Sequence, residues 1–328
     1  MKNLRTELTT TPTGHFINHQ DHIVTTGSCF AASFGHRFTQ HKFRCVPGLF
    51  GTLYNPLSIH KLLAMTAAGT TPSADSYLQA QDIHLNFDFH SEMAGYSRGE
   101  LELRIRMLLE TARQELSEAT WLTITYGTAW GWQRKDNQQW VANCHKRPAG
   151  EFTRQLLPVA QLAADFTSCL THLRRINPRL QILLTVSPVR HTRETLQGNS
   201  VSKAVLRLLC HELYADHSNV HYFPAFEIMV DDLRDYRFYA EDLLHPSPLA
   251  EDYLWEKLQA QFMNEHTRSV LARWTEVQKA LSHKPFMPQR ASHREFLQKT
   301  RQALASLAGE LPVEDELRAI DQRILELH

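Results

Sequence analysis

The chain has 328 residues, 42% of them hydrophobic and 21% charged, the profile of an ordinary globule with enough length to bury a substantial core. Lys+Arg and Asp+Glu balance at 35 each, so no net field draws the chain to nucleic acid or to an anionic membrane, and no basic stripe interleaves with aromatics. No 18-residue apolar run occurs, which argues against a membrane span, and the opening "MKNLRTELTTTPTGHF" lacks an apolar core, so no signal peptide is expected and the expected location is the cytoplasm. Five cysteines, Cys29, Cys45, Cys144, Cys169 and Cys210, lack paired spacing and read as reduced thiols.

In chain order, the pattern alternates. Strands are expected at His22–Thr26, Phe43–Val46, Trp121–Tyr126, Gln181–Val186 and Val220–Phe223. Helices are expected at Phe30–Gln40, Pro56–Ala68, Glu100–Glu118, Gln155–Ile176, Ser202–Ala215 and Pro248–Phe262. "TWLTITYG" and "LQILLTVSP" are short β-branched runs bounded by turn signals, the mark of strands buried on both faces of a parallel sheet. Strands alternating with helices of this length give an α/β fold, doubly wound, with a mainly parallel sheet flanked by helices. Residues 70–98 carry little periodicity and read as an irregular insertion. After Glu265 the strands stop: "LSHKPFMP" punctuates the chain, then Phe296, Ala303 and Leu307 mark one helical stripe and Val313, Leu317, Ile320 and Ile324 another. The expected division is therefore a main domain over 1–265 and a helical C-terminal extension over 266–328.

Two places carry chemistry. "HIVTTGSCFAASFGHRF" runs from a β-branched strand through Gly27 into a helix, and Ser28 stands at the turn. A serine there is a favoured helix cap, with Phe30, Phe34 and Phe38 as the buried helix face. It is equally a place for a nucleophile, because ligands of open α/β sheets bind at the carboxyl ends of strands, where first-turn N–H groups favour negative charge. Cys29 is the alternative nucleophile; with Ser28 facing the cleft, Cys29 is expected to face the core. An unassisted hydroxyl is weak and needs a base. Asp242 and His245 form the only Asp-x-x-His in the chain, ahead of a helix start with Ser247 as cap and Pro248 at its first position, and the carboxylate reaches the imidazole within one loop.

At this point the chain resembles a known family. "GSCFA" is the name-giving motif of the GSCFA family, which is similar to the SGNH (GDSL-like) hydrolases. The resemblance spans roughly residues 20 to 300 and includes "GTLYNPLSI" from Gly51, "YGTAW" from Tyr126, "VANCHKRP" from Val141, "LTVSPVRH" from Leu184, "GNSVSKAVLR" from Gly198 and "YFPAFEIMVDDLRDYRFYAEDLLHPS" from Tyr222. It implies a flavodoxin-like three-layer fold, with Ser28 as nucleophile, His245 as general base and acid, and Asp242 as its orienter. SGNH hydrolases complete an oxyanion hole with a glycine N–H and an asparagine in a Gly-x-Asn-Asp block. Here that block resembles "GTAW" and lacks the asparagine, so the expected donors are the Ser28 N–H, Gly51, Asn55, Gly127 and Thr128.

The activity implied is serine-esterase hydrolysis of O-acyl esters, O-acetyl above all, on a carbohydrate or cell-surface glycan, with no cofactor. Two other readings stand beside it: an O-acyltransferase using the same site, and a non-catalytic glycan-binding or interaction protein. His145 in "NCHK" and Arg190 and His191 in "SPVRH" are expected to touch substrate. Cys144 and His145 are adjacent, point apart on a strand and lack ligand-spaced partners, so no metal is expected. Lys203 in "SVSKAVLR" has two readings, a bridge to the cleft and a solvated lysine near a helix start, and the second is preferred. No Gly-x-Gly-x-x-Gly or Walker-type loop is present, so nucleotide binding has no support.

Overall fold

In the computed structural model, which describes residues 6–327 apart from Thr10, Thr13 and Pro288, the chain forms two compact units. Pro288, the end of the "LSHKPFMP" punctuation, and the first five residues of the opening segment therefore lie outside the described residues. The first unit is built chiefly from residues 22–36 and 45–256, the second chiefly from residues 37–44 and from Lys257 onward.

The first unit holds a five-stranded parallel sheet flanked by helices. Its strands are β1 (His22–Gly27), β2 (Arg44–Val46), β5 (Trp121–Tyr126), β9 (Gln181–Val186) and β10 (Val220–Phe223), in the order β10-β9-β5-β1-β2. The helices that alternate with them are α1 (Cys29–Gln40), α2 (Pro56–Ala68), α3 (Arg98–Glu118), α4 (Val159–Ile176), α5 (Thr195–Asp216) and, after the last strand, α6 (Pro248–Phe262). All six residues of β1 and of β5 are buried, as a strand covered on both faces requires. Val24, Leu122, Ile124, Ile182 and Leu184 share one face and pack under residues of α2 to α5, among them Leu62, Leu109, Phe166 and Leu206. On the opposite side Phe34 of α1 stacks on Phe223 at 6.1 Å and meets Trp255 of α6 edge-on at 5.9 Å.

The central strands fall where the β-branched runs predict them, and the helix ends follow local chemistry. Asn55 accepts from the Leu57 N–H at 2.9 Å to cap α2, Pro56 supplies its first turn, and Gly69 closes it in the left-handed region. Three expectations change. Helix α5 starts at Thr195 rather than at Ser202. The segment from Gln155 begins as a strand, β8 (Phe152–Leu156), and α4 starts only at Val159, because Pro158 holds the residue before it extended. Residues 70–98 are not irregular throughout: β3 (Tyr77–Ala80) and β4 (Ile83–Asn86) form an antiparallel hairpin. The structure also adds a small antiparallel sheet, β7-β6-β8, from β6 (Trp130–Arg134), β7 (Trp140–Val141) and β8.

The second unit gathers α7 (Glu265–Ser282), α8 (Ala291–Ala305) and α9 (Glu314–Leu325) around Trp274, Leu297, Leu304, Leu307 and Ile320. The two expected stripes lie on α8, α9 and the turns that precede and follow them. Among the described residues no helix is long and apolar enough to cross a membrane.

One contact fixes the carboxyl edge of the sheet. Gly27 ends β1 at φ 128°, and a Cβ built there would sit 2.1 Å from the Thr125 carbonyl oxygen of the neighbouring strand. That oxygen also accepts the Ser28 N–H at 3.1 Å. Gly27→Ala must separate β1 from β5 and is expected to cost about 3 kcal/mol or more, read as a fall of roughly 6–12 °C in Tm. An unchanged Tm would show that the two strands are not held at this separation.

Candidate active site

Ser28 and Cys29 follow Gly27 at the carboxyl end of β1, and α1 begins at Cys29. The turn leaves its two side chains no choice of direction. The Ser28 N–H is held by Thr125 O and its carbonyl accepts from the Ala31 N–H at 2.8 Å, so Ser28 is buried, 1% exposed, and its Oγ has no hydrogen-bond partner among the described residues. Cys29 is half-buried and turned the other way, its sulfur 3.5 Å from His245 Nε2.

His245 belongs to the loop between β10 and α6. Asp242 accepts the Leu244 and His245 backbone N–H groups on Oδ1, at 2.9 and 3.0 Å, and the His245 Nδ1–H on Oδ2 at 2.6 Å. Those backbone bonds, then the imidazole, hold the Asp242 carboxyl down to about 2. With Nδ1–H donating to a carboxylate, Nε2 carries the lone pair and accepts from the Cys29 S–H. The loop is closed by the Ala240 N–H on His245 O at 2.8 Å, and Leu243 takes a positive φ of 60° to make the turn. Arg190, leaving β9, ties this loop to the sheet: its N–H donates to Leu244 O at 3.1 Å, its guanidinium to Leu243 O at 3.4 Å, and its plane covers Tyr239 at 3.9 Å.

The ends of β5 and β9 meet at a fully buried lysine. Lys203 of α5 donates to Gly127 O at 2.8 Å and Ser187 O at 2.7 Å, stapling the ends of β5 and β9, and burial pushes its ammonium down to about 7. His191 is half-buried nearby, its backbone N–H held by Asn199 Oδ1 at 2.9 Å and its ring edge-on to Tyr54 at 5.1 Å. Burial first, then the charges of Lys203 and His245, lower its imidazole to about 3, so it is neutral near pH 7. Its Nε2 has no hydrogen-bond partner among the described residues. Cys29 also interacts electrostatically with Lys203 and Tyr54, so these five groups share one local field. Tyr54 and His191 open onto a cavity of about 470 Å³ lined by Trp130, Trp132, Thr128, Lys146 and Arg193.

The model of the GSCFA family matches residues 22–258, and that of the GSCFA domain protein, C-terminal domain, matches 274–326. The chain belongs to the GSCFA family. No functionally curated protein matches it. Solved structures that match include a Streptococcus pneumonia protein provisionally assigned as a platelet activating factor, 13% identical over 74% of this chain and 83% of that one, with a TM-score of 0.38. Another is a carbohydrate esterase family 3 protein from Talaromyces cellulolyticus, 9% identical over 51% of this chain and 67% of that one, with a TM-score of 0.27. Likenesses this distant carry no argument about the chemistry of the site.

Set beside the sequence expectations, this GSCFA chain brings Asp242 and His245 together but not Ser28. Against the expectation that Ser28 faces the cleft and Cys29 the core, Ser28 is buried and Cys29 is the half-buried residue whose side chain meets His245. The expected oxyanion donors are spent on the fold. Gly51 N–H donates to Gly48 O at 2.7 Å, and Gly127 and Thr128 N–H both donate to Tyr54 O, at 2.8 and 3.0 Å. The Thr128 hydroxyl is held between Ser202 Oγ and the Trp130 N–H, and Asn55 spans the Leu57 N–H and Trp130 O. His145 does not line the cavity: it is buried, with Nδ1 3.0 Å from Ser91 Oγ and Nε2 2.8 Å from Asn86 O. Arg190 holds the loop that carries Asp242 and His245 rather than the cavity wall; His191 alone of the three expected substrate contacts faces the cavity.

The residue that sequence reasoning misjudged is Lys203, taken for a solvated lysine because α5 was expected to start at Ser202. The helix begins at Thr195, a full two turns earlier, which carries Lys203 into the interior. The signal was the apolar run that flanks it, "AVLRLL".

Because His191 is held neutral by burial, the unfolded chain binds the extra proton between pH 6.5 and about 3. Stability therefore falls as pH falls through that window, by at most about 1.4 kcal/mol per pH unit from this group. Urea unfolding of His191→Gln between pH 7 and 4 is expected to show a shallower loss than the parent protein. Equal slopes would mean that this imidazole is not desolvated in the folded state.

Proposed function

We propose that the protein is an esterase that cleaves O-acyl esters through an acyl-enzyme, and that its substrate is an acylated, above all acetylated, carbohydrate. The observation that carries this reading is the relay at the carboxyl end of the sheet: a carboxylate, an imidazole locked in one tautomer by it, and a nucleophilic side chain within reach of the free nitrogen. In the cycle, the imidazole of His245 takes the proton of the attacking group from the Gly27–Cys29 turn and returns it to the departing alcohol. It then takes a proton from water for deacylation. Asp242 keeps Nδ1 protonated throughout and stabilises the imidazolium that forms.

With the Gly51, Gly127 and Thr128 N–H groups engaged elsewhere, the donors left for the oxyanion are the first-turn N–H groups of α1 and His191. The helix N-terminus favours developing negative charge at that point, and a neutral His191 donates from Nε2 in the tautomer that protonates it. The carbohydrate assignment is supported by the cavity beyond Tyr54, where Trp130 and Trp132 offer aromatic surface and Lys146, Arg193 and Asn143 offer polar contacts.

The reading is tested on the full chain with p-nitrophenyl acetate and with acetylated oligosaccharides. His245→Ala is expected to lower kcat/KM for both by on the order of 10²–10⁴-fold, and Asp242→Asn to lower kcat with little change in KM. Trp130→Ala is expected to raise KM for the oligosaccharide about fivefold while sparing the aryl ester. Absence of ester turnover in the parent protein, or full activity in His245→Ala, would discard the esterase.

A further inference from the structure

We propose that the nucleophile of this site is the thiol of Cys29, and that Ser28 serves the fold. The inference rests on the acyl-transfer reading above and names the atom that reading leaves open.

Geometry separates the two candidates. Cys29 Sγ is the atom that His245 Nε2 meets, at 3.5 Å, a hydrogen-bond separation for sulfur. The imidazole tautomer set by Asp242 makes Nε2 an acceptor, so the thiol proton already lies on the path it must take. Ser28 Oγ is buried and meets no hydrogen-bond partner among the described residues. Its backbone N–H is held by Thr125 O, its carbonyl accepts from the Ala31 N–H, and Gly27 lies directly against the Thr125 carbonyl.

The surroundings suit sulfur. The Phe30 and Cys29 backbone N–H groups point at Sγ from the start of a 12-residue helix, and the buried ammonium of Lys203 lies within electrostatic reach; both favour negative charge on sulfur as it develops. Burial works against them and leaves the thiol above its ordinary value, so the resting state is a neutral thiol hydrogen-bonded to His245 Nε2. The proton therefore leaves sulfur as the new bond forms.

The steps balance without any further reactant. Sulfur attacks the ester carbonyl carbon, the S–H proton passes to Nε2, and the carbonyl pair moves onto oxygen. Collapse breaks the bond to the alcohol oxygen, which takes the proton from Nε2 and leaves an S-acyl thioester. Water then attacks the thioester, giving its proton to Nε2; the C–S bond breaks, and the thiolate takes the proton back. Ester and water become acid and alcohol.

The thiol can be read with and without turnover. Iodoacetamide is expected to alkylate Cys29 ahead of the half-buried Cys45 and Cys144, whose thiols burial holds up at about 12 and about 11. Peptide mapping identifies the labelled site. The alkylation rate at Cys29 is expected to fall at least about tenfold in His245→Ala, since the neutral thiol depends on that base. Equal rates in the two proteins would overturn the thiol–imidazole pairing whether or not the chain is an esterase. With an ester substrate, Cys29→Ala is expected to lower kcat by about 10³-fold or more and Ser28→Ala by less than about tenfold. The trapped acyl group is expected on Cys29 and to be released by neutral hydroxylamine, as a thioester is. An acyl group on Ser28, or activity that survives Cys29→Ala and vanishes in Ser28→Ala, would overturn the proposal. Base-dependent alkylation of Cys29 in a chain without ester turnover would retain the activated thiol and discard the esterase.

Discussion

The site depends on the distance between two backbones. β1 approaches β5 so closely at its carboxyl end that the Thr125 carbonyl occupies the space where any side chain on residue 27 would begin. A glycine there lets the strand end flush with its neighbour, and its φ of 128° turns the chain into a helix within two residues. The same carbonyl then takes the Ser28 N–H, which fixes the direction of both following side chains at once. Residue 28 goes inward and residue 29 outward. The arrangement of the turn thus follows from a steric fact one residue earlier, and the identity of residue 29 decides what His245 meets.

His245 reaches the turn by a different kind of restraint. The loop from Ala240 to Pro246 carries its own bonds: Asp242 caps two backbone N–H groups while it holds the imidazole, so one carboxylate both shapes the loop and sets the tautomer. Arg190 supplies the link from this loop to the end of β9, while Lys203 ties the ends of β5 and β9 together. Their environments differ in consequence. Arg190 stays at the surface over Tyr236 and Tyr239. Lys203 gives up water altogether, and two carbonyl bonds replace it. An uncompensated buried ammonium is expensive, so a lysine in that position marks a place where the ends of β5 and β9 must not drift apart.

These differences explain what the sequence made legible. Central strands such as Trp121–Tyr126 were readable because burial on both faces selects a short run of aromatic and β-branched residues. The Asp242–His245 pair was readable because its contacts span three residues and need no tertiary partner. The small β7-β6-β8 sheet was not, since "WGWQR" and "FTRQL" are half-exposed and pair across intervening loops. The donors expected at Gly51, Gly127 and Thr128 were misplaced for a related reason: each N–H bond is to a carbonyl that only the folded chain brings near. The facing of Ser28 and Cys29 lies at the junction of a period of two and a period of 3.6, where neither pattern assigns a side. Only the clamp on Gly27 does so.

The loss of the expected oxyanion donors and the outward thiol belong to one argument. A hydroxyl nucleophile relies on strong, preorganised donors, because the alkoxide-like attack and the tetrahedral oxyanion are both high in energy, and each donor removed is worth about 10²–10³-fold. Here the strand-end N–H groups that would serve are consumed in holding Tyr54 against the turn after β5. What remains is the dipole of α1, the orphan imidazole of His191 and the buried charge of Lys203. A thiol asks less of such a site: it is intrinsically the stronger nucleophile, and its proton is more readily passed to imidazole. The charge it develops is met by the same first-turn N–H groups that already point at Sγ. Sulfur at residue 29 and an oxyanion hole with its backbone donors spent elsewhere are thus mutually consistent, whereas a serine attack would require both a turned-out Ser28 and donors released from Tyr54.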